Sequence, residues 1–325
     1  YDGFPERIKL MKKLILLILA AALLLLGGCG GGENTPTEAP TEPPASAGGN
    51  DNGPDYSAYT SQVKVLCYNI FYQDVDDRQA NIRDLLTKQD ADVLLLQEVS
   101  VSWIPYLQAF MQETGYSYYG YGRHGGEFSD PNVGSGDQFV PILWKTDKYE
   151  LSDCGHFWLS STPDVVKSTA WVDGVNSKYP RCVNWVILKD KQTGDEFVAM
   201  NIHTDPESDL VRTNSCNLAV EMLETIADGL PVVVGGDWNM GLTSDGYGIL
   251  KAYDYKDCRI VAPDADKGGS YNAWGDRAED NFAYGDHIFI TGNMAAEVFR
   301  VVDHRYDGVH ISDHNPLMTI LHYSN

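Results

Sequence analysis

The chain has 325 residues, 24 basic and 46 acidic, for a formal charge of −22, and 43% of its residues are hydrophobic. That composition can fill a core and excludes a chain disordered throughout. The acidic balance argues against a protein that grips nucleic acid through a basic face, but leaves phosphate chemistry open, because a bound divalent cation can bring positive charge to one point.

Taken in chain order, residues 1–10 precede Met11 and are read as an upstream extension. Residues 11–29 run MKKLILLILAAALLLLGGC, with Lys12 and Lys13 before an apolar stretch from Leu14 to Leu26 and small Gly27 and Gly28 before Cys29. This is the pattern of a secretory signal, too short to span a membrane comfortably. Ending in Leu-Gly-Gly-Cys, it resembles a bacterial lipoprotein signal, which implies lipidation of Cys29 and a protein anchored on the extracellular face of the cell membrane. An uncleaved anchor is the competing reading. Residues 30–60 are rich in Pro, Thr and Gly without helix or strand period and read as a disordered tether. The globular domain is then 61–325, with 20 basic and 39 acidic residues, net −19, so the acidity belongs to the folded part. Of its five cysteines, Cys67 and Cys182 lie in apolar runs and read as buried small hydrophobes. Cys154, Cys216 and Cys258 leave room for at most one or two disulfides, and no C-x-x-C spacing suggests a zinc knuckle.

Short apolar runs of strand composition occur at 63–68, 93–96, 141–144, 183–188, 197–200, 231–234, 287–290 and 316–321. Helical patterns lie at 78–88, 103–114 and 209–227, the last with Leu210, Leu218, Met222 and Ile226 as its apolar spacing. Strands mixed with helices and with other strands predict α/β layers around a mixed sheet. Polar clusters stand at the ends of these runs: Asn69, Gln97-Glu98, Asn201-Ile202-His203, Gly236-Asp237-Trp238-Asn239, Asp286 and Ser312-Asp313-His314. A lone strand-end Asp is usually a turn residue or a cap. Six such clusters on one rim would converge in one cleft.

The segments LCYNI, LLLQEV, NIHTD, GGDWN, GDHIF and ISDHNP, in this order, resemble the endonuclease/exonuclease/phosphatase superfamily, the DNase I-like group, over nearly all of 61–325. The resemblance implies a four-layer α/β sandwich, two mixed β-sheets packed face to face with flanking helices. It also implies a metal-dependent phosphoric ester hydrolase. Such chemistry needs a hard cation, an activated water and neutralised phosphoryl oxygens. The cation is Mg²⁺, or Mn²⁺ or Ca²⁺. By match to the family's Gln-Glu, Glu98 would be the leading metal ligand, with Asn69 beside it as a ligand or as a hydrogen bond to metal water or phosphate, and Asp313 would sit by the metal or a second cation. His314 is the candidate general base and Asp286 its orienting partner. By the same resemblance Asp237 would orient the nucleophile or help a second metal, Asn239 would bond the phosphate, and His203 would donate to a phosphate oxygen or protonate the leaving group. Trp238 and the 156–160 stretch are assigned to packing, Asn201 to support and His287 to structure.

One departure stands out. Relatives often carry a Glu that supports the histidine placed here at His203, and Gln138 holds that position. Either Asp137 or Glu127 substitutes, or His203 works as a neutral donor. Arg123 resembles a phosphate-facing arginine of some relatives, while His124 and Arg181 are weaker candidates. Small soluble phosphate esters lead as substrates. An extracellular DNase-like nuclease, a sphingomyelinase-like phospholipase C and a catalytically silent surface-binding protein are the alternatives. A single tethered monomer without tight nucleic-acid binding is expected.

Overall fold

Alternation along single strands already separates the layers. The computed structural model describes residues 55–130 and 132–325. The upstream extension, the signal with Cys29 and the tether up to residue 54 lie outside the described residues.

In β1 (Ser61–Asn69), Val63, Val65 and Cys67 face one apolar cluster and Leu66 and Tyr68 another. In β2 (Val93–Gln97), Val93 and Leu95 join the first cluster and Leu94 and Leu96 the second. Side chains with period two place alternate residues on opposite faces, so a strand apolar throughout must be covered on both. The other strands of the two large sheets are β3 (Tyr116–Tyr119), β4 (Ile142–Lys145), β5 (Tyr149–Trp158), β6 (Cys182–Asp190), β7 (Glu196–His203), β8 (Val232–Asp237), β9 (Lys256–Asp257), β10 (Asp264–Ala265), β11 (Asp286–Ile290), β12 (Met294–Val301) and β13 (Leu317–Tyr323). They form a seven-stranded sheet, β10-β12-β13-β1-β2-β4-β3, and a six-stranded sheet, β9-β11-β8-β7-β6-β5. Both are mixed: β1–β2 and β7–β8 are parallel, while β1–β13 and β8–β11 are antiparallel.

The sheets share the cluster of Val63, Val65, Leu95, Val186, Phe197, Val233 and Ile288. Helices α1 (Val75–Gln89) and α2 (Ile104–Thr114) cover the outer face of the first sheet through Ile82, Leu86, Leu107 and Phe110. Helices α3 (Asp209–Ala227) and α4 (Asp245–Ala252) cover the second. The four-layer sandwich expected from the motifs is the observed fold.

Three details differ from expectation. The inner face of α3 is Val211, Ser215, Cys216, Ala219, Val220 and Leu223, whereas Leu210 is exposed and Leu218, Met222 and Ile226 are only partly buried. Small residues allow the close approach: a Cβ on Gly246 of α4 would lie 2.9 Å from Cys216 Sγ. The five described cysteines are all free, so no disulfide forms among them. Packing starts before residue 61, because Tyr56 stacks on His322 with ring centroids 4.2 Å apart.

Gly235 and Gly236 explain the glycine pair before Asp237. A Cβ on Gly235 would stand 2.7 Å from Leu95 Cδ1, in the contact between sheets, and one on Gly236 would stand 1.9 Å from the Ile202 carbonyl oxygen. Only glycine lets β8 pass so close to its neighbours.

Candidate active site

Parallel strands end, and antiparallel strands begin, on the same sheet edge. Asn69, Glu98, His203 and Asp237 therefore arrive at one rim from the C-terminal ends of β1, β2, β7 and β8. Asp286 and the Asp313-His314 pair arrive there from the N-terminal sides of β11 and β13. Between the sheets at this rim is a cleft of about 570 Å³. Its lining includes Glu98, Arg123, Arg181, His203, Asp237, Asn239, Asp313 and His314.

His314 Nδ1 lies 2.7 Å from Asp286 Oδ2, with both groups buried. Asp286 Oδ2 also accepts from Ser270 Oγ. His314 Nε2 is 3.7 Å from Asp237 Oδ2, and His203 Nε2 is 3.5 Å from the same oxygen. Both distances exceed a good hydrogen bond, so three polar groups converge without satisfying one another. Burial pushes the His314 ring down, but Asp286, Asp237 and Asp313 outweigh it and carry its pKa up to about 10. His203 goes the other way, to about 3, through burial and Arg181, against the pull of Asp237. The two histidines are thus set apart, one cationic and one neutral at pH 7.

Glu98 stands at the end of β2 with φ +58°, a left-handed conformation that a non-glycine residue keeps only when its surroundings fix it. Burial raises its pKa, with Asp313 and Asp237 adding to the rise against His314. Its Oε2 is buried with no hydrogen-bond partner among the described residues. A buried carboxylate oxygen without a partner is costly unless a cation or donor meets it, so Glu98 fits a hard divalent ion. Asp313 lines the same cleft, its pKa raised first by burial. Asp237, Asp286 and His314 also sit within 4.8 Å of one another. The 2.7 Å Asp286–His314 contact already uses Nδ1, so that pair reads as a hydrogen-bonded dyad with Asp237 beside it, and Glu98 with Asp313 as the better cation ligands.

Asn69 lies between the groups it was expected to join, in a particular orientation. Its Nδ2 donates to Asp237 Oδ2 at 3.0 Å and to Glu98 Oε1 at 3.3 Å, and its Oδ1 accepts from Phe71 N–H. In this arrangement it spaces two carboxylates, and a ligand role would require the amide to turn. Asn239, at φ +49°, donates Nδ2 to the Thr204 carbonyl and its N–H to Asp237 Oδ1.

Gln138 makes no hydrogen bond to His203, though both line one small pocket. It pairs across from Ser100 and accepts Arg123 Nη1 at 2.9 Å. Asp137 is occupied by the N–H groups of His124, Gly126 and Gln138, and exposed Glu127 accepts Tyr121 OH. Neither therefore supports His203, which is left as a neutral donor.

Arg181 was undervalued in the sequence. It lines the cleft at 7% exposure, and its Nε is buried without a partner among the described residues. Burial pulls its pKa down to about 10, against Asp237 and Glu98, so it stays cationic at neutral pH. Arg181 and Arg123 stand 5.9 and 5.2 Å from the Tyr179 ring centroid. Tyr72, Tyr271 and Tyr284 also line the cleft. The tyrosines come from loops with no strand or helix period, so only their place in the fold marks them. Trp238 is fully buried against Phe289, and Asn201 is buried on Gln97 and the Leu96 and Pro141 carbonyls, both away from the cleft.

The model of the endonuclease/exonuclease/phosphatase family matches residues 66–314. A solved endonuclease/exonuclease/phosphatase from Bacteroides vulgatus is 25% identical, covers 82% of this chain and 100% of its own, and superposes with a TM-score of 0.73. A mannosyl-6-phosphatase of Bacteroides thetaiotaomicron is also 25% identical, covering 80% and 100%, with a TM-score of 0.69. An uncharacterized protein of Acanthamoeba polyphaga mimivirus is 26% identical over 213 residues, 57% of this chain; the chain spans 30% of the length of that curated relative.

Proposed function

This chain belongs to the endonuclease/exonuclease/phosphatase family, and on that premise we propose that it is a divalent-metal-dependent hydrolase of phosphate esters. The observation that carries the reading is the buried Asp286–His314 pair, aimed at a cleft that also holds Glu98 with an unpartnered carboxylate oxygen. Glu98 and Asp313 would hold the cation, which when bound supplies Lewis acidity toward a phosphoryl oxygen. Asp286 fixes the His314 tautomer, leaving Nε2 toward the cleft to take a proton from water. In the free protein the surrounding carboxylates hold that ring protonated. With a cation held by Glu98 and Asp313, the field on the ring would be lower and its neutral, basic form favoured. Neutral His203, Asn239, Arg123 and Arg181 form the donor wall for the phosphoryl oxygens.

Small phosphomonoesters are the favoured substrates. A dianion gains most from two guanidinium groups in one half-buried wall, and a similar protein is named a mannosyl-6-phosphatase. The lipoprotein-like segment ending at Cys29 supports a lipid-anchored location on the cell surface. The test is turnover of p-nitrophenyl phosphate and bis-p-nitrophenyl phosphate with Mg²⁺ or Mn²⁺, before and after EDTA. Expected is metal-dependent hydrolysis, faster on the monoester and lost in H314A. Turnover indifferent to EDTA and to H314A would overturn the reading, and faster cleavage of plasmid DNA or sphingomyelin would replace the monoester assignment.

A further inference from the structure

His287 follows Asp286 on β11, so its side chain points to the opposite face from the Asp286 carboxylate. It is fully buried, and its ring reaches three groups, one of them Arg259 Nη1, 3.2 Å from Nδ1. Nδ1 is 2.9 Å from Asp257 Oδ2, and Nε2 is 3.0 Å from the Met240 carbonyl oxygen. A carbonyl only accepts, so Nε2 carries a proton and donates to Met240. Asp257 is held in turn by the Arg259 N–H at 2.9 Å, Arg259 Nη1 at 3.4 Å and Tyr247 OH at 3.3 Å. Arg259 Nη2 returns to the Asp286 carbonyl oxygen at 3.2 Å.

The Met240 carbonyl lies just past Asn239, whose φ of +49° is uncommon for a residue with a side chain. The other side of Asn239 is fixed by the same strand. Trp238 N–H donates to the Gly285 carbonyl at 2.9 Å, and Trp238 Nε1 donates to the His287 carbonyl at 3.3 Å. Residues 285–287 thus grip the chain before Asn239 through their backbone, and His287 grips it afterwards through its ring. Neighbours that fix both flanks are what keep a left-handed residue in place.

We propose that His287 is a positioning residue. It locks the loop of Asn239 to the strand of Asp286, so the phosphate contact and the partner of the base are held as one body. This rests on the phosphate-binding reading of Asn239 given above.

The experiment is a double-mutant cycle on the full chain, reading inorganic phosphate affinity by calorimetry and kcat and KM on p-nitrophenyl phosphate with Mg²⁺. His287→Phe keeps a ring beside Phe289 and Tyr247, whose centroids lie 5.4 and 5.3 Å away, and removes the contacts to Asp257, Arg259 and Met240. His287→Gln can still donate to Met240 and serves as the conservative variant if the Phe protein does not fold. Phosphate affinity and kcat/KM should fall about tenfold in H287F and about threefold in H287Q, and neither should change by more than about twofold when made on top of N239A. Equal losses with and without Asn239 would overturn the proposal, because they would mark a packing role that does not act through that residue. Absence of phosphate binding in the parent chain would overturn it as well. Phosphate binding with the expected coupling but no hydrolysis would refute the enzyme reading while supporting this one.

Discussion

Asp286→Asn keeps the shape of the side chain and removes its charge, so it isolates what the carboxylate does for His314. The contact replaced is a buried 2.7 Å charge-assisted hydrogen bond, of a kind that contributes about 1.5–3 kcal/mol. Against burial, Asp286 is the largest of the influences that carry His314 up to about 10, and each pKa unit corresponds to about 1.4 kcal/mol. The loss should appear in two places. An asparagine can present N–H to Nδ1 and favour the wrong tautomer, so kcat on p-nitrophenyl phosphate should drop by about 100-fold or more. The pKa of His314, followed by NMR in the metal-free protein, should fall by at least about one unit. KM should move much less, because Asp286 Oδ2 faces His314 and Ser270 rather than the space where the ester would sit. A D286N protein that folds and keeps more than about a third of the parent kcat would refute the assignment of His314 as a base oriented by Asp286.

Three further outcomes follow from single groups. Arg181→Met removes a buried guanidinium with an unpartnered Nε, so kcat/KM on the monoester should fall about tenfold or more while the melting temperature holds or rises; a drop in stability with unchanged kinetics would make Arg181 structural. Glu98→Gln should weaken Mg²⁺ binding, read by calorimetry, by about tenfold or more, and unchanged affinity would move the cation elsewhere in the cleft. Burial lowers His203 to about 3 and His304 to about 4, so below the ordinary histidine value the unfolded chain holds protons that the native chain lacks. Their stabilisation is present above about pH 6.5 and is lost as pH falls toward those folded values, by up to about 1.4 kcal/mol per pH unit for each ring. Melting temperature should therefore drop between pH 7 and 5, with a shallower slope in H304Q, and a flat profile would contradict it.

The layers and the rim were legible because two periods in the sequence answer to separate physical demands. Val63, Val65 and Cys67 against Leu66 and Tyr68 show a strand covered on both faces, and the polar residue after each apolar run shows where the strand leaves the core. Helix α3 was less legible, since its inner face uses Ser215, Cys216 and Ala219, whose small size matters for approach and leaves little hydrophobic signal. The partner of Gln138 was not legible for a different reason. It depends on the pairing of Val99–Ser100 with Gln138–Phe139, which turns Gln138 toward Arg123 instead of His203. Contacts made by short irregular segments carry no period to read.

Arg181 is the residue whose meaning changed most, and it resolves the tension in a domain of net charge −19 that would bind phosphate. Whole-domain charge acts at long range and is screened over about 8–10 Å in ordinary salt. Within the cleft the local arrangement decides. Glu98, Asp237, Asp286 and Asp313 gather beside His314, while Arg123 and Arg181 flank Tyr179. Carboxylates suit a cation and the neighbouring guanidinium groups suit an anion, so the two ligands would stabilise each other's place. A net-acidic domain discourages long polyanions, whose many phosphates feel the whole charge, more than a small ester that meets only the arginine wall. That difference in range, rather than the total charge, is the reason a small phosphomonoester is proposed as the substrate.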